Sequence, residues 1–335
     1  MSVYNGEQYL EDAIECILNQ TFRDFEFIIV DDGSTDDSLQ IVQDYARKDT
    51  RIQVLRNGQN IGLSASLNKG LHIARGEYIA RMDADDISLS QRLEKQVAFM
   101  DAHPEVGICG SWVEIIGEFA GQVWRYPVSN DAICACMLFA NTLVHSSVIL
   151  RQTTLRQYNL QYDAQMRYAQ DYELWSRAMF VTQFANVDHV LMHYRVHALS
   201  AGALHREKQY QAHEGVYRRV LSPLGIEYTE SELRLHQQIG TYQYDKDVEF
   251  LQRARNWLEK LAQANQRVRI LSPAILSAEL GARWTQICLQ SQAPFLLFFV
   301  TILASPLHFG GRVGFLKFWR GIRFFLGRIV SAKSR

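Results

Sequence analysis

Asp83-Ala84-Asp85-Asp86 sets three carboxylates in four residues, directly after the apolar run Tyr78-Ile79-Ala80-Arg81-Met82. Carboxylates this close repel one another unless a cation lies between them or water screens them. The cluster suits a hard divalent ion, Mg²⁺ or Mn²⁺, which takes oxygen ligands. An acidic turn after a strand is the alternative without chemistry. A second acidic strand end argues against it: Phe25-Glu26-Phe27-Ile28-Ile29-Val30 runs into Asp31-Asp32-Gly33-Ser34-Thr35-Asp36. Parallel strands that deliver acids at their carboxyl ends point them into the crevice where open α/β sheets bind ligands. Folding needs alone do not call for two such ends on one sheet edge.

The elements that position these residues read as follows. Residues 1 to about 110 alternate short apolar runs with helical patterns, which argues for a mostly parallel sheet. Leu10, Ala13, Ile14, Ile17 and Leu18 have helical spacing, as do Leu39, Val42, Tyr45 and Ala46 after a cap at Ser34 or Thr35. Ile52 to Leu55 fits as a third strand. Ser88-x-x-Gln91 has capping-box spacing before Leu93, Val97 and Met100, and His103-Pro104 ends that helix. The opening is short for a doubly wound domain. Met1-Ser2-Val3 leaves only a stub, so the first strand is expected to be truncated and Met1 to be an internal methionine of it. Residues 105 to 200 mix strands and short helices. From about 204 to 292 the pattern is helical and charged.

Five motifs stand in a fixed order: Val3-Tyr4-Asn5-Gly6-Glu7, Asp31-Asp32-Gly33-Ser34, Asn60-Ile61-Gly62-Leu63-Ser64, Asn68-Lys69-Gly70 and Arg81 through Asp86. His145-Ser146-Ser147, Gln170-Asp171-Tyr172-Glu173-Leu174-Trp175 and Tyr194-Arg195-Val196-His197 follow. This ordered set, over roughly residues 1 to 200, resembles family 2 glycosyltransferases. The resemblance implies an α/β GT-A fold and an inverting, metal-dependent enzyme using a nucleotide-diphosphate sugar. It implies a domain at 1–203 (donor half to about 110, acceptor half from 111); beyond it, the residue pattern marks 204–292 as a helical extension and 293–335 as a membrane-associated tail.

By this resemblance Asp85 is the first choice for the metal ligand, with Asp83 beside it. Asp83 and Asp86 would contact the metal's waters, the ribose or the donor sugar, in a division left open. Asp32, with Asp31 as a second candidate, would accept hydrogen bonds from the base. Tyr4 would stack on that base or simply pack. Asn5 and Glu7 belong to the same donor-binding turn. Asn60 and Gly62 form a loop over the nucleotide, with Gly62 starting a helix. Asn68 and Lys69 face the phosphates or an exposed helix side. Arg195 and His197 would reach the diphosphate. His145 lies near the acceptor or diphosphate, or is structural. Asp171 matches the family's catalytic aspartate, the base that removes the acceptor hydroxyl's proton. Gln170 replaces a common Glu, and Glu173 is the local rival. Leu174 and Trp175 pack beneath. The signature Gln-x-x-Arg-Trp of processive synthases is absent, which implies single-sugar transfer.

Composition narrows the alternatives. The 335 residues are 47% hydrophobic with net charge −1, which gives no electrostatic reason for a nucleic-acid partner. Five scattered cysteines form no zinc pattern and read as reduced thiols. No secretory signal pattern opens the chain. Phe295 to Ala304, between Pro294 and Pro306, would span about 16 Å as a helix, roughly half a bilayer core. Residues 312 to 335 hold seven Lys/Arg and no acid, with Phe315, Phe318, Trp319, Ile322, Phe325, Leu326 and Ile329 on one stripe. That suits a helix lying on an anionic membrane surface, and a core-packed or oligomer-facing helix is the alternative. The family resemblance implies a glycan or lipid-linked acceptor in cell-surface polysaccharide synthesis. The expected location is cytoplasmic, peripheral on the inner face of the cell membrane. A catalytically degenerate, membrane-held relative is the rival function. Phosphoryl chemistry would need a Gly-rich phosphate loop or an aspartyl nucleophile motif, and a dinucleotide oxidoreductase would need G-x-G-x-x-G after a strand. None is present.

Overall fold

The computed structural model describes residues 1–197, 206–245 and 247–290. The chain divides into two compact units, residues 1–133 with 141–216, and residues 134–140 with 217 onward. The first unit runs past the expected boundary at 203. The ring of His213 meets that of Tyr172 at 5.3 Å between centroids, which ties this stretch to the first unit.

The first unit opens with β1 (Ser2–Val3), α1 (Glu7–Leu18), β2 (Phe27–Asp31), α2 (Ser38–Lys48), β3 (Ile52–Arg56) and α3 (Leu63–Ile73). The three strands pair in parallel in the order β1-β2-β3. Leu10, Ala13, Ile14 and Ile17 of α1 are buried with Val3, Phe27, Ile29 and Val42, as their helical spacing predicts. The expected caps differ. Asp37 caps α2 without a side-chain bond, because Ser34 and Thr35 are engaged with Asn5 instead.

A second sheet follows from β4 (Tyr78–Ala80), β5 (Ile87–Ser88), β6 (Val106–Gly117), β7 (Val123–Trp124), β8 (Ile149–Arg151) and β9 (Gln183–Val196), in the order β4-β8-β6-β9-β5, with β7 on β6. Only β6 and β9 pair in parallel here; the other pairs are antiparallel. The parallel reading therefore holds for the first sheet, and the second is mixed. Helices α4 (Arg92–Ala102), α5 (Asn130–Met137), α6 (Gln152–Gln157) and α7 (Gln170–Ala178) lie between these strands in sequence, and α8 (Arg206–Leu221) follows them. Gln91, not Ser88, caps α4, since Ser88 lies in β5 and its hydroxyl accepts from Gln20.

β1 meets β2 only at Val30 and Asp31, so β2 and β4 stand apart. A cleft between them is lined by Phe27, Ile28, Ile79, Ala80 and Leu150. A wider cavity of about 810 Å³ lies among Phe22, Phe25, Phe27, Tyr78, Met82 and Val97.

The second unit holds α9 (Glu230–Gly240), α10 (Val248–Val268) and α11 (Pro273–Gln290). Thr229 and Glu232 cap α9 reciprocally. Phe250, Trp257, Leu258, Leu261, Leu280 and Trp284 form its core. Buried His236 joins Leu138 O through Nε2 and accepts from Trp257 Nε1 through Nδ1. Burial pushes its pKa down to about 3, so it stays neutral. Among the described residues no disulfide forms, and Cys109, Cys134 and Cys288 are buried. No helix among them is long and apolar enough to cross a membrane. The apolar segment from 295 and the basic tail lie outside the described residues.

Candidate active site

The acidic turn leaves β4 at one edge of the second sheet and enters β5 at the other. On the way Arg81 N–H donates to Val148 O beside β8, and Arg195 N–H of β9 donates to Asp86 Oδ1 at 2.7 Å. Asp83, Asp85 and Asp86 each bring one carboxylate oxygen within 4.8 Å of the others. Asp83 pairs with buried Arg81. His197 Nε2 lies 3.2 Å from Asp85 Oδ2, and Arg195 Nε–H donates to Asp85 O at 2.7 Å. The Arg195 guanidinium sits 4.2 Å from the ring centre of Tyr9, a residue of α1 that the motifs did not single out.

Electrostatics favour a cation here. Asp86 is 1% exposed, and its Oδ2 has no hydrogen-bond partner among the described residues. Burial first, then the Asp83 and Asp85 charges, push its pKa up to about 8. Burial and Asp83 raise Asp85 as well, against His197 and Arg81. Three hard oxygen donors with crowded charge, one of them orphaned, fit Mg²⁺ or Mn²⁺.

The end of β2 sorts its two acids. Asp32 Oδ1 accepts from Asn57 Nδ2 and Ile61 N, and its Oδ2 accepts from Gly62 N, all at 2.8 to 2.9 Å. Asp32 thus fixes the loop at 60–62, and Lys69 Nζ joins this network by donating to Asn57 Oδ1. Asp31 accepts from Ser34 N at Oδ1 and keeps a buried, unpartnered Oδ2. Gly33 has φ +74, and a Cβ there would lie 2.6 Å from the Gln59 carbonyl carbon. Gly62, at φ +93, caps α3. Asn5 Oδ1 accepts from Thr35 N, and Glu7 Oε2 accepts from Asp37 N, so both side chains clasp the two turns together. Asn68 exchanges both amide ends with the Tyr162 backbone. Tyr4, 50% exposed, and Asn60 remain open to solvent.

A recess of about 410 Å³ collects the remaining candidates, with Asp83, Asp85, His145, Asp171 and Arg195 on its walls. Ala169, in left-handed backbone, turns the chain into α7 and sets Asp171 in its first turn. Burial raises the Asp171 pKa; the Tyr172 backbone N–H, Arg81 and the Asn141 amide oppose the rise. Glu173 instead pairs with Arg177 at 2.8 Å and is buried. His145 shares a 2.7 Å hydrogen bond with the Tyr162 hydroxyl, and burial with Arg81 holds its pKa well below the usual range. Leu174 and Trp175 are fully buried. Trp124 and Tyr194, ring centres 5.7 Å apart, form another wall. The recess thus unites the metal candidates with the base candidate. Asn5, Glu7, Asp32, Asn68 and Lys69 have hydrogen-bond partners in the loops around the site. Asn57 and Asn141 were missed, since lone asparagines carry no sequence signal for a partner 25 or 30 residues away.

The model of the family described as "Glycosyl transferase family 2" matches residues 1–167. An uncharacterized glycosyltransferase of Haemophilus influenzae is 33% identical over 238 residues, 67% of this chain and 74% of its own length. The amylovoran biosynthesis glycosyltransferase AmsE of Erwinia amylovora is 33% identical over 58% of this chain and 74% of its own. The O-antigen biosynthesis glycosyltransferase WbnJ of Escherichia coli is 31% identical over 59% and 78%. Among solved structures, S. aureus TarS 1–349 in complex with UDP-GlcNAc superposes with a TM-score of 0.58 at 18% identity, covering 91% of this chain and 86% of that one. The fold is therefore that of the GT-A glycosyltransferases. With the match spanning both acidic strand ends and the Haemophilus relative covered over most of its length, the chain belongs to glycosyl transferase family 2.

Proposed function

We propose that this glycosyltransferase moves one sugar from a nucleotide-diphosphate donor to an acceptor hydroxyl, inverting the anomeric centre. The observation that carries this reading is the shared recess of Asp83, Asp85 and Asp171. Asp85, Asp83 and Asp86 would hold Mg²⁺ or Mn²⁺. Bound there, the ion would supply Lewis acidity to the departing diphosphate. Asp171 takes the proton from the acceptor hydroxyl as its oxygen attacks the face opposite the diphosphate. Burial raises its pKa, which strengthens the carboxylate as a base, and the hydrogen bonds from the Tyr172 N–H and Asn141 favour the ionised form a base needs. Arg195, held by Asp85, Asp86 and Tyr9, places a cation beside the diphosphate, with His197 next to it. Neutral His145 offers the acceptor side a hydrogen-bonding ring without adding charge. Tyr4, Asp31 and Asn60 line the base end and retain open surface or an unpartnered oxygen.

The names of AmsE and WbnJ support a role in cell-surface polysaccharide synthesis, with a glycan or lipid-linked acceptor. The TarS complex supports a nucleotide-sugar donor. The basic, aromatic tail supports attachment to the inner face of the cell membrane. A panel of nucleotide sugars, each incubated with the protein and Mn²⁺, tests the activity. Release of nucleotide diphosphate from one of them is expected; none released from any would favour the non-catalytic relative.

A further inference from the structure

Asn141 makes two hydrogen bonds that together fix a direction. Leu143 N–H donates to its Oδ1 at 3.1 Å, and its Nδ2 donates to Asp171 Oδ2 at 2.7 Å. The first bond assigns the amide's two ends: with the carbonyl turned to Leu143, the NH₂ group must face Asp171. Both side chains line the recess that contains the acid cluster.

We propose that Asn141 is a positioning residue for the base, gripping Asp171 Oδ2 so that the other carboxylate oxygen is presented to the acceptor hydroxyl. This rests on the reading of Asp171 as the base. A carboxylate turns about its last torsion with little resistance, because that torsion is broad. A buried base therefore needs an anchor if one oxygen is to stay aimed at the reacting proton, and small losses of alignment are costly in rate. Asn141 supplies the anchor from a segment outside α7, so the base is held from two directions.

The bond also acts on charge. A hydrogen bond donated to a carboxylate favours its ionised form. The other titratable groups around the recess are Arg81, Asp83, Asp85, Tyr126, His145, Tyr172, Tyr194, Arg195 and His213, with Tyr162 behind His145. Arg81 favours ionised Asp171, burial opposes it, and His145 is held neutral. Removing the Asn141 N–H takes away one of the groups that favour ionised Asp171.

The test uses Asn141→Ala and the isosteric Asn141→Asp in the full chain. Two quantities are read: the ¹³C-carboxyl NMR titration of Asp171, assigned by its loss in Asp171→Asn, and the pH profile of UDP release with UDP-GlcNAc as first probe, or the sugar nucleotide the wild type turns over. Asn141→Ala should raise both the Asp171 midpoint and the acidic limb by about one pH unit. It should lower the pH-independent kcat about tenfold and leave KM for the sugar nucleotide unchanged. Asn141→Asp, which faces one carboxylate with another, should raise the midpoint further, and it carries the test if the alanine variant does not fold. An unmoved midpoint and an unmoved kcat plateau, with only melting temperature lowered, would overturn the positioning role. If Asp171→Asn itself retains transfer, the base assignment fails instead.

Discussion

Replacing Asp86 with Asn should stabilise the metal-free protein at alkaline pH, against the usual outcome of altering a buried group. Asp86 is almost wholly buried, and burial with its two acidic neighbours moves its pKa from 3.8 to about 8. A carboxyl whose pKa is higher folded than unfolded contributes stability that is fully present below about pH 4. That stability is lost as pH rises towards 8, because the unfolded chain gives up the proton more easily. A shift of roughly four units corresponds to about 6 kcal/mol at most. Asp85, whose pKa is raised as well, shares the proton affinity of the cluster, so a gain of about 2–4 kcal/mol is the expectation for one site. Asn keeps the shape, carries no charge and turns an N–H₂ donor towards two carboxylates. Urea unfolding in EDTA, at pH 5 and pH 8.5, reads the effect. The variant should exceed the wild type by about 2–4 kcal/mol at the higher pH and by about 1 kcal/mol or less at the lower. Added Mn²⁺ should restore the wild type and leave the variant nearly unmoved. Equal pH slopes for the two proteins, or a variant weaker at both values, would refute the picture of a strained acid cluster.

Three further outcomes follow. Gly33→Ala should cost about 2–3 kcal/mol and weaken nucleotide binding, since φ +74 and the approach to the Gln59 backbone both exclude a Cβ; calorimetry showing an unchanged Tm would contradict this. Five apolar residues engineered ahead of Met1 should pair with β2 in the cleft beside β4 and turn a buried amino group, its pKa pushed down to about 5 by burial, into an amide; Tm should rise by several degrees, and a lower value would speak against a strand-shaped slot. Deleting 312–335 should abolish sedimentation with anionic liposomes, each Lys or Arg being worth about 1 kcal/mol; unchanged sedimentation would reassign the tail to packing or oligomerisation.

The donor half was legible where periodicity speaks. The 3.6-residue spacing of Leu10, Ala13, Ile14 and Ile17 gave α1, and the apolar run before Asp31 gave β2. The acid cluster was legible because three charges in four residues need a physical reason. Roles that depend on distant partners were not. Asn5 and Glu7 look like ligand-binding residues in their motif, yet their hydrogen bonds run to residues about thirty positions on. Ser34 and Ser88 have cap spacing, but the clasp to Asn5 and the pairing of β5 with β9 claim them. The mixed second sheet was hidden because β6 and β9 are long strands whose neighbours come from distant stretches of chain. Tyr9 reads as an ordinary helical position, and only the fold brings Arg195 over its ring.

In the proposed reaction Asp171 removes the acceptor's proton while the acids at 83–86 serve the diphosphate. The most direct measurement compares transfer and nucleotide affinity for Asp171→Asn and Glu173→Gln. Asp171→Asn should lower transfer by a factor on the order of 10² to 10⁴ with nucleotide affinity unchanged, the usual worth of a general base. Glu173→Gln should lose the Arg177 pair and some stability while keeping near-normal transfer. A crippled Glu173→Gln beside an active Asp171→Asn would contradict the account.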